Sequence, residues 1–311
     1  MKKIRIQDQK ELLRSLGIFL LFAFVPVYIP TIICLIKDVP YMLEITAADG
    51  TTAEAINPAV QFLLAFSMLC PSIAMLISRA FCKEGFCFHG EDSMMLGIEL
   101  TGRKWIWYLI ALTAPCLYVE AAQGTFLLLH PECFSTQQVK TLGADPVFLA
   151  LYPFMGIFHA VTLSFGALGE EAGWRGYMMP RLEKLFGIKC ATVVGGVIWG
   201  VWHYPALLLG HNFGHGYFLE PWSGFLVFTI YTVIMNAFLY LIVKKTGSVW
   251  PAAFFHAANN GVYSIVSLYT DVSKYKYQEN AGLWLISLMA IYTAVLFSII
   301  LFAVRRKENY G

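Results

Sequence analysis

Residues 169–181, GEEAGWRGYMMPR, set three charged side chains, Glu170, Glu171 and Arg175, into strongly apolar sequence. An apolar run at 153–168 precedes them and further apolar residues at 177–180 follow. Charges in such a setting are costly and are retained for pairing or for chemistry. Two later apolar runs each carry a histidine of the same kind, His203 and His256, the second followed by Asn260. The question the chain poses is whether these residues converge on one site.

The surroundings are those of a polytopic membrane protein. Of 311 residues, 58% are hydrophobic and 14% charged, against roughly 25% charged in soluble domains. Mean hydropathy is +0.62. The net charge of +2 is too small to suggest nucleic acid as a partner. Eight apolar segments, each about the 20 residues that a bilayer core demands, are expected as spans: 15–36, 58–81, 105–129, 154–179, 190–209, 222–243, 249–269 and 283–304. The expected fold class is an all-α transmembrane helix bundle, with membrane lipid around it and a short piece at 146–152 lying at the outer face before the fourth span.

The basic N-terminus (Lys2, Lys3, Arg5, Lys10, Arg14) runs into an apolar stretch as long as a full span and without a small-x-small cleavage site. A first transmembrane helix is expected there, and no cleavable signal peptide. The seven cysteines fall mostly inside apolar runs (Cys34, Cys70, Cys116, Cys190), which fits packed or reduced thiols. Cys82 and Cys87 lack zinc-knuckle spacing.

Orientation follows from where Lys and Arg collect. They gather at the N-terminus, around the end of the second span (Arg79, Lys83, Arg103, Lys104), after the fourth (Arg181, Lys184, Lys189), after the sixth (Lys244, Lys245) and after the eighth (Arg305, Arg306, Lys307). The opposite loops are poorer: 38–57 and 210–221 have neither, and Lys140, Lys274 and Lys276 are the exceptions. Both termini are therefore expected on the cytoplasmic side, in a prokaryotic plasma membrane. At 1.5 Å per residue, Glu170 lies ~16 Å from Arg181, His203 ~21 Å from Lys189 and His256 ~16 Å from Lys245. Three residues at one depth are what a single buried site requires.

Spacing then separates roles. Glu171 and Arg175 are i and i+4 and share a helix face as an ion pair. Glu170 is rotated ~100° away, leaving it free to act as a general base. The competing reading is a charge cluster at a helix end among headgroups, with Trp174 and Tyr177 in an interfacial belt. His203 follows Trp199 at i+4, and a lone membrane histidine commonly bonds between helices. His256 and Asn260 share a face and could donate to an oxyanion, ligate a metal, or bond between helices; Asn259 is expected to point elsewhere. Glu120 is expected near the headgroups, and His159 is expected to miss the site. His211 and His215, also i and i+4, offer an outer-loop metal pair. HExxH, GxSxG, paired aspartates and a phosphate-binding glycine loop are all missing from the sequence.

The three elements EExxxR (Glu170 to Arg175), aromatic-xxx-His (Trp199 to His203) and HxxxN (His256 to Asn260) resemble, in this order, the CPBP family of intramembrane proteases. That family, also called Abi, includes type II CAAX prenyl endopeptidases and bacteriocin-processing or immunity proteins. The second motif usually begins with Phe, and Trp199 stands there instead. The resemblance covers roughly 154–262 and implies a catalytic helix core at 146–270, between an N-terminal three-span region (1–145) and a C-terminal span with its tail (271–311). It implies that Glu170 and His203 activate water, that His256 and Asn260 stabilise an oxyanion, and that Glu171 and Arg175 support the site. Family members are often described as metalloproteases, and Glu170, His203 and His256 could hold zinc with an open water position; asparagine is the better oxyanion donor than zinc ligand, which favours the metal-independent glutamate mechanism. The expected activity is an endopeptidase reached from the cytoplasmic side, acting on a lipidated or leader-type peptide or protein. The contrasting reading is a non-catalytic transporter or immunity factor, for which the inverted repeats and broken helices of transporters are not visible.

Overall fold

The computed structural model of the chain describes residues 6–46, 52–90 and 93–310; of the basic residues used for orientation, Lys2, Lys3 and Arg5 lie outside them. The described chain is a helix bundle. Its elements are α1 (Ile6–Ile36), a hairpin of β1 (Met42–Thr46) and β2 (Thr52–Ile56), α2 (Pro58–Ser67), α3 (Cys70–Cys82), α4 (Trp105–Leu129), α5 (Gln137–Thr141), α6 (Pro146–Gly173), α7 (Met179–Leu208), α8 (Trp222–Thr246), α9 (Trp250–Gly261), α10 (Ile265–Leu268) and α11 (Ala281–Tyr310). Among the described residues, six helical stretches are long and apolar enough to cross a membrane.

The expected spans hold with five differences. The piece at 146–152 is not separate: it forms the first turns of α6, which Asp145 caps by accepting from Phe148 N at 2.7 Å. The fourth and fifth spans form one helical run, Pro146–Leu208. That run passes through a π-helical turn at Trp174–Met178 and reverses at Gly187, whose φ of 76° and ψ of 160° no helix contains. The second span is interrupted between α2 and α3, where Pro71 lacks the N–H a continuous helix needs. The loop at 38–57 contains the antiparallel β1–β2 pair.

The seventh expected span, 249–269, departs most. Only α9, twelve residues, is regular there. The chain then turns extended at Val262 and restarts as α10, whose N-cap Ser264 accepts from Ser267 N at 3.2 Å. A broken helix strands backbone N–H groups, and in an apolar interior these need partners. Glu120 of α4 supplies them. Its carboxylate accepts from Ile265 N at 2.6 Å, Val266 N at 3.2 Å and Ser264 Oγ at 2.9 Å. Glu120 is therefore an internal helix cap rather than a headgroup contact.

Close helix approach is set by small residues. A Cβ on Gly169 would meet Met68 O at 2.6 Å, and one on Gly173 would meet the Pro71 backbone at 2.5 Å. The glutamate-bearing turn of α6 is thereby seated against the α2–α3 break.

Replacing Glu120 with Ala leaves the α10 N–H groups without an acceptor, at a cost of about 1–3 kcal/mol. Thermal unfolding in detergent is expected to show a lowered midpoint for Glu120→Ala and a smaller loss for Glu120→Gln. An unchanged midpoint in Glu120→Ala would show that the cap contributes nothing.

Candidate active site

The glutamate-bearing segment lies inside the bundle. Glu171 and Arg175 are fully buried, Glu170 is 3% exposed, and Trp174 and Tyr177 are buried with them, so neither a headgroup-solvated cluster nor an interfacial belt describes this segment. The i, i+4 pairing expected from spacing is present although Arg175 lies in the π turn: Arg175 Nη1 donates to Glu171 Oε1 at 2.9 Å. The same oxygen accepts from His256 Nδ1 of α9 at 2.8 Å. Arg175 Nε and Nη2 and Glu171 Oε2 have no hydrogen-bond partner among the described residues. The guanidinium instead stacks on the Trp199 ring, 3.9 Å from its centroid, a cation–π contact that gains from desolvation.

Trp199 ties the parts together. Its indole N–H donates to Glu170 Oε2 at 2.9 Å, and its carbonyl accepts from His203 Nδ1 at 2.8 Å. Its ring meets His203 and His256 edge-on, each at 5.5 Å between centroids. Both histidines thus donate from Nδ1, to a carbonyl and to a carboxylate, which leaves Nε2 of each as the chemically available nitrogen.

Glu170, His203, His256 and Asn260 all line one cavity of about 590 Å³, within the roughly 300–1,000 Å³ range of small-molecule sites. Residues outside the expected core line it too, including Val27 and Thr31 of α1, Gln61 of α2, Gln123 of α4 and Met289 of α11. All four candidate catalytic residues are therefore brought together, and Glu171 and Arg175 lie directly behind them.

Asn259, expected to point away, also lines this cavity. Its Oδ1 accepts from Tyr118 and Tyr231 hydroxyls, each at 2.5 Å, and its Nδ2 donates to Asn260 Oδ1 at 3.1 Å. With its oxygen so engaged, Asn260 has its amide N–H groups left to offer the cavity. Its i+3 offset from His256 is itself a spacing that brings side chains to one face, and the tyrosines that hold it there come from α4 and α8. His159 does stay out of the cavity, packing on Tyr263 at 5.4 Å.

A metal-ligand set is not present. Among the described residues no group of three His, Cys, Asp or Glu side chains is placed to hold an ion, and Glu170, His203 and His256 are not drawn together as such a group. In the outer-loop pair, His211 Nδ1 bonds Tyr41 Oη at 2.9 Å and His215 Nδ1 donates to Glu220 at 2.9 Å, and among the described residues they are not part of a three-ligand group. Glu220 is exposed; burial raises its pKa, but hydrogen bonds from His215 and Gly216 N–H outweigh that and hold it below the usual range.

Comparison with known proteins falls on this region. Residues 151–262 match the family described as type II CAAX prenyl endopeptidase Rce1-like. This part of the chain is similar to that family. A protein named CAAX prenyl protease 2, from Methanococcus maripaludis, is 25% identical over 110 residues. The aligned stretch is 35% of this chain and 41% of that protein. The Rce1-like segment contains all three motifs, so the CPBP resemblance is borne out, and the helices that complete the cavity (α1, α2, α4 and α11) lie outside the match.

Removing one partner of a buried ion pair costs about 3–5 kcal/mol. Arg175→Met is expected to lower the unfolding midpoint strongly. Adding Glu171→Gln, which removes the stranded charge but keeps an acceptor for His256, is expected to recover part of the loss. Wild-type stability in Arg175→Met would show that the pair carries no net weight.

Proposed function

We propose that the chain is an intramembrane endopeptidase of the glutamate type, acting on a lipidated or leader-type peptide or protein. One observation carries this reading: a carboxylate, two imidazoles and a carboxamide from three helices open onto a single cavity in the bundle. The apolar part of its lining, including Leu63, Phe228 and Met289, suits an apolar side chain or lipid tail.

Glu170 takes a proton from a water that His203 Nε2 helps to orient. The water oxygen bonds to the scissile carbonyl carbon, and the C=O electron pair moves onto oxygen. Asn260, through its amide N–H, and a doubly protonated His256, through Nε2–H, donate to that oxyanion. Two buried carboxylates and one guanidinium sum to −1, and a protonated His256 brings the set to zero. As the C–N bond breaks, the proton held by Glu170 passes to the departing nitrogen, giving an amine and a carboxylic acid and restoring the carboxylate. Glu171, Arg175, Trp199 and Asn259 act by positioning these groups.

Purified protein in detergent is expected to cleave members of a set of lipidated and plain peptides. Glu170→Gln should lower the rate by about 10²–10⁴ and Asn260→Ala by about 10²–10³. The pair Tyr118→Phe with Tyr231→Phe, which frees Asn259, should lower kcat by about ten- to a hundredfold with little change in KM. Because the three donors form no ligand set, cleavage should survive a strong chelator. Undiminished cleavage by Glu170→Gln would remove the base and the mechanism with it.

A further inference from the structure

The polar lining of the cavity lies toward the helix ends that are poor in basic residues. Apart from Glu170, Trp199 and His256 at its floor, its lining comes from the halves of the helices remote from the Gly187 turn: Thr31 of α1, Gln61 of α2, Gln123 of α4, Tyr231 of α8, and His211 and Asn212 just beyond α7. All six carry hydroxyl, amide or imidazole groups that hydrate readily. Asn260 and Gln61 are exposed to it.

The other end is shut. Tyr177 is stacked under Arg181, 3.4 Å from guanidinium carbon to ring centroid, with Arg79 at 5.5 Å. Arg181 donates to Glu84 at 2.6 Å and to Tyr177 O at 2.9 Å, and Arg79 donates to Ser93 O at 2.7 Å. Trp174, Met178 and Met179 are wholly buried between this layer and Glu170. The closed end carries Lys83, Arg103, Lys104, Lys189, Lys244, Arg305 and Arg306, whereas the open end has only Lys37, Lys140, Lys274 and Lys276. Basic residues mark the cytoplasmic ends of membrane helices.

We propose that the cavity is filled from the non-cytoplasmic side, so that its substrate is a polypeptide segment displayed at the outer face of the membrane. This reverses the cytoplasmic access expected from motif depth alone. Depth measured from the basic turns locates the glutamate but does not say which end is plugged. The substrate half of the proposal rests on the endopeptidase reading; the access half does not.

The test uses the full chain in intact cells. Single cysteines are placed at Gln61, Gln123 and, as an inner marker, Lys189. Cells are treated with a small membrane-impermeant anionic thiol reagent, and modification of each cysteine is read by mass spectrometry of its own peptide, so the native thiols do not interfere. Gln61→Cys and Gln123→Cys are expected to react in intact cells, and Lys189→Cys only after permeabilisation. Protection of both cavity cysteines in intact cells, or reaction of Lys189→Cys there, would overturn the proposal. Outside labelling of the cavity together with no peptide cleavage by the purified protein would sustain the access and defeat the endopeptidase reading, so the two fail separately.

Discussion

One carboxylate oxygen, Glu171 Oε1, holds the site together. It accepts from Arg175 in the π turn and from His256 in α9, and so joins the two segments that bear the motifs. An isolated charge in such an interior costs several kcal/mol even after relaxation, so none of the three can be withdrawn without exposing the others. The second carboxylate, Glu170, receives one hydrogen bond in the described structure, from Trp199. It is the less satisfied of two adjacent acids, and it is the one that lines the cavity. Trp199 serves both: its N–H orients Glu170, its carbonyl orients His203, and its ring face shields Arg175.

The helices around this oxygen are irregular where regular ones would not serve. The π turn at Trp174–Met178 widens the helix where Arg175 must reach back to Glu171, as single π turns often do at functional sites. The α2–α3 interruption gives Gly169 and Gly173 a backbone to press against. Breaking α9 after Gly261 leaves His256 and Asn260 in the last turns of a helix that ends beside the cavity. Each interruption strands backbone groups that lipid cannot satisfy. Glu120, far away in sequence on α4, answers the largest of them. Its charge is thus structural, while the chemically similar Glu170 faces the cavity.

Much of this was legible in the residues. Apolar runs of span length located the helices, because nothing but a helix or a closed barrel can bury so much backbone in lipid. The i, i+4 offsets of Glu171 with Arg175 and of His256 with Asn260 put each pair on a common face, and the structure keeps both. The illegible parts have physical reasons. The π turn conserves apolar composition, so no periodicity announces it. The end of α9 lacks the usual proline, and the cap that permits it comes from Glu120, 145 positions before Ile265 in sequence. Asn259 was misplaced because its partners, Tyr118 and Tyr231, come from other helices. The floor of the cavity could be inferred from motif depth, but its open end depends on where Tyr177, Arg79 and Arg181 pack.

On the endopeptidase reading, a site inside an apolar bundle faces two opposed demands. Water must reach Glu170, yet a path open at both ends would conduct ions across the membrane. The polar groups of Thr31, Gln61, Gln123, His211 and Asn212 give water a route from one end. The arginine–tyrosine layer, with every aromatic and methionine beneath it buried, denies it an exit at the other. The layer uses charge for closure where apolar packing alone would serve, and its arginines bind backbone carbonyls and Glu84 as well as stacking on Tyr177. Such bonds fix α3, the Glu84 turn and the start of α7 against one another.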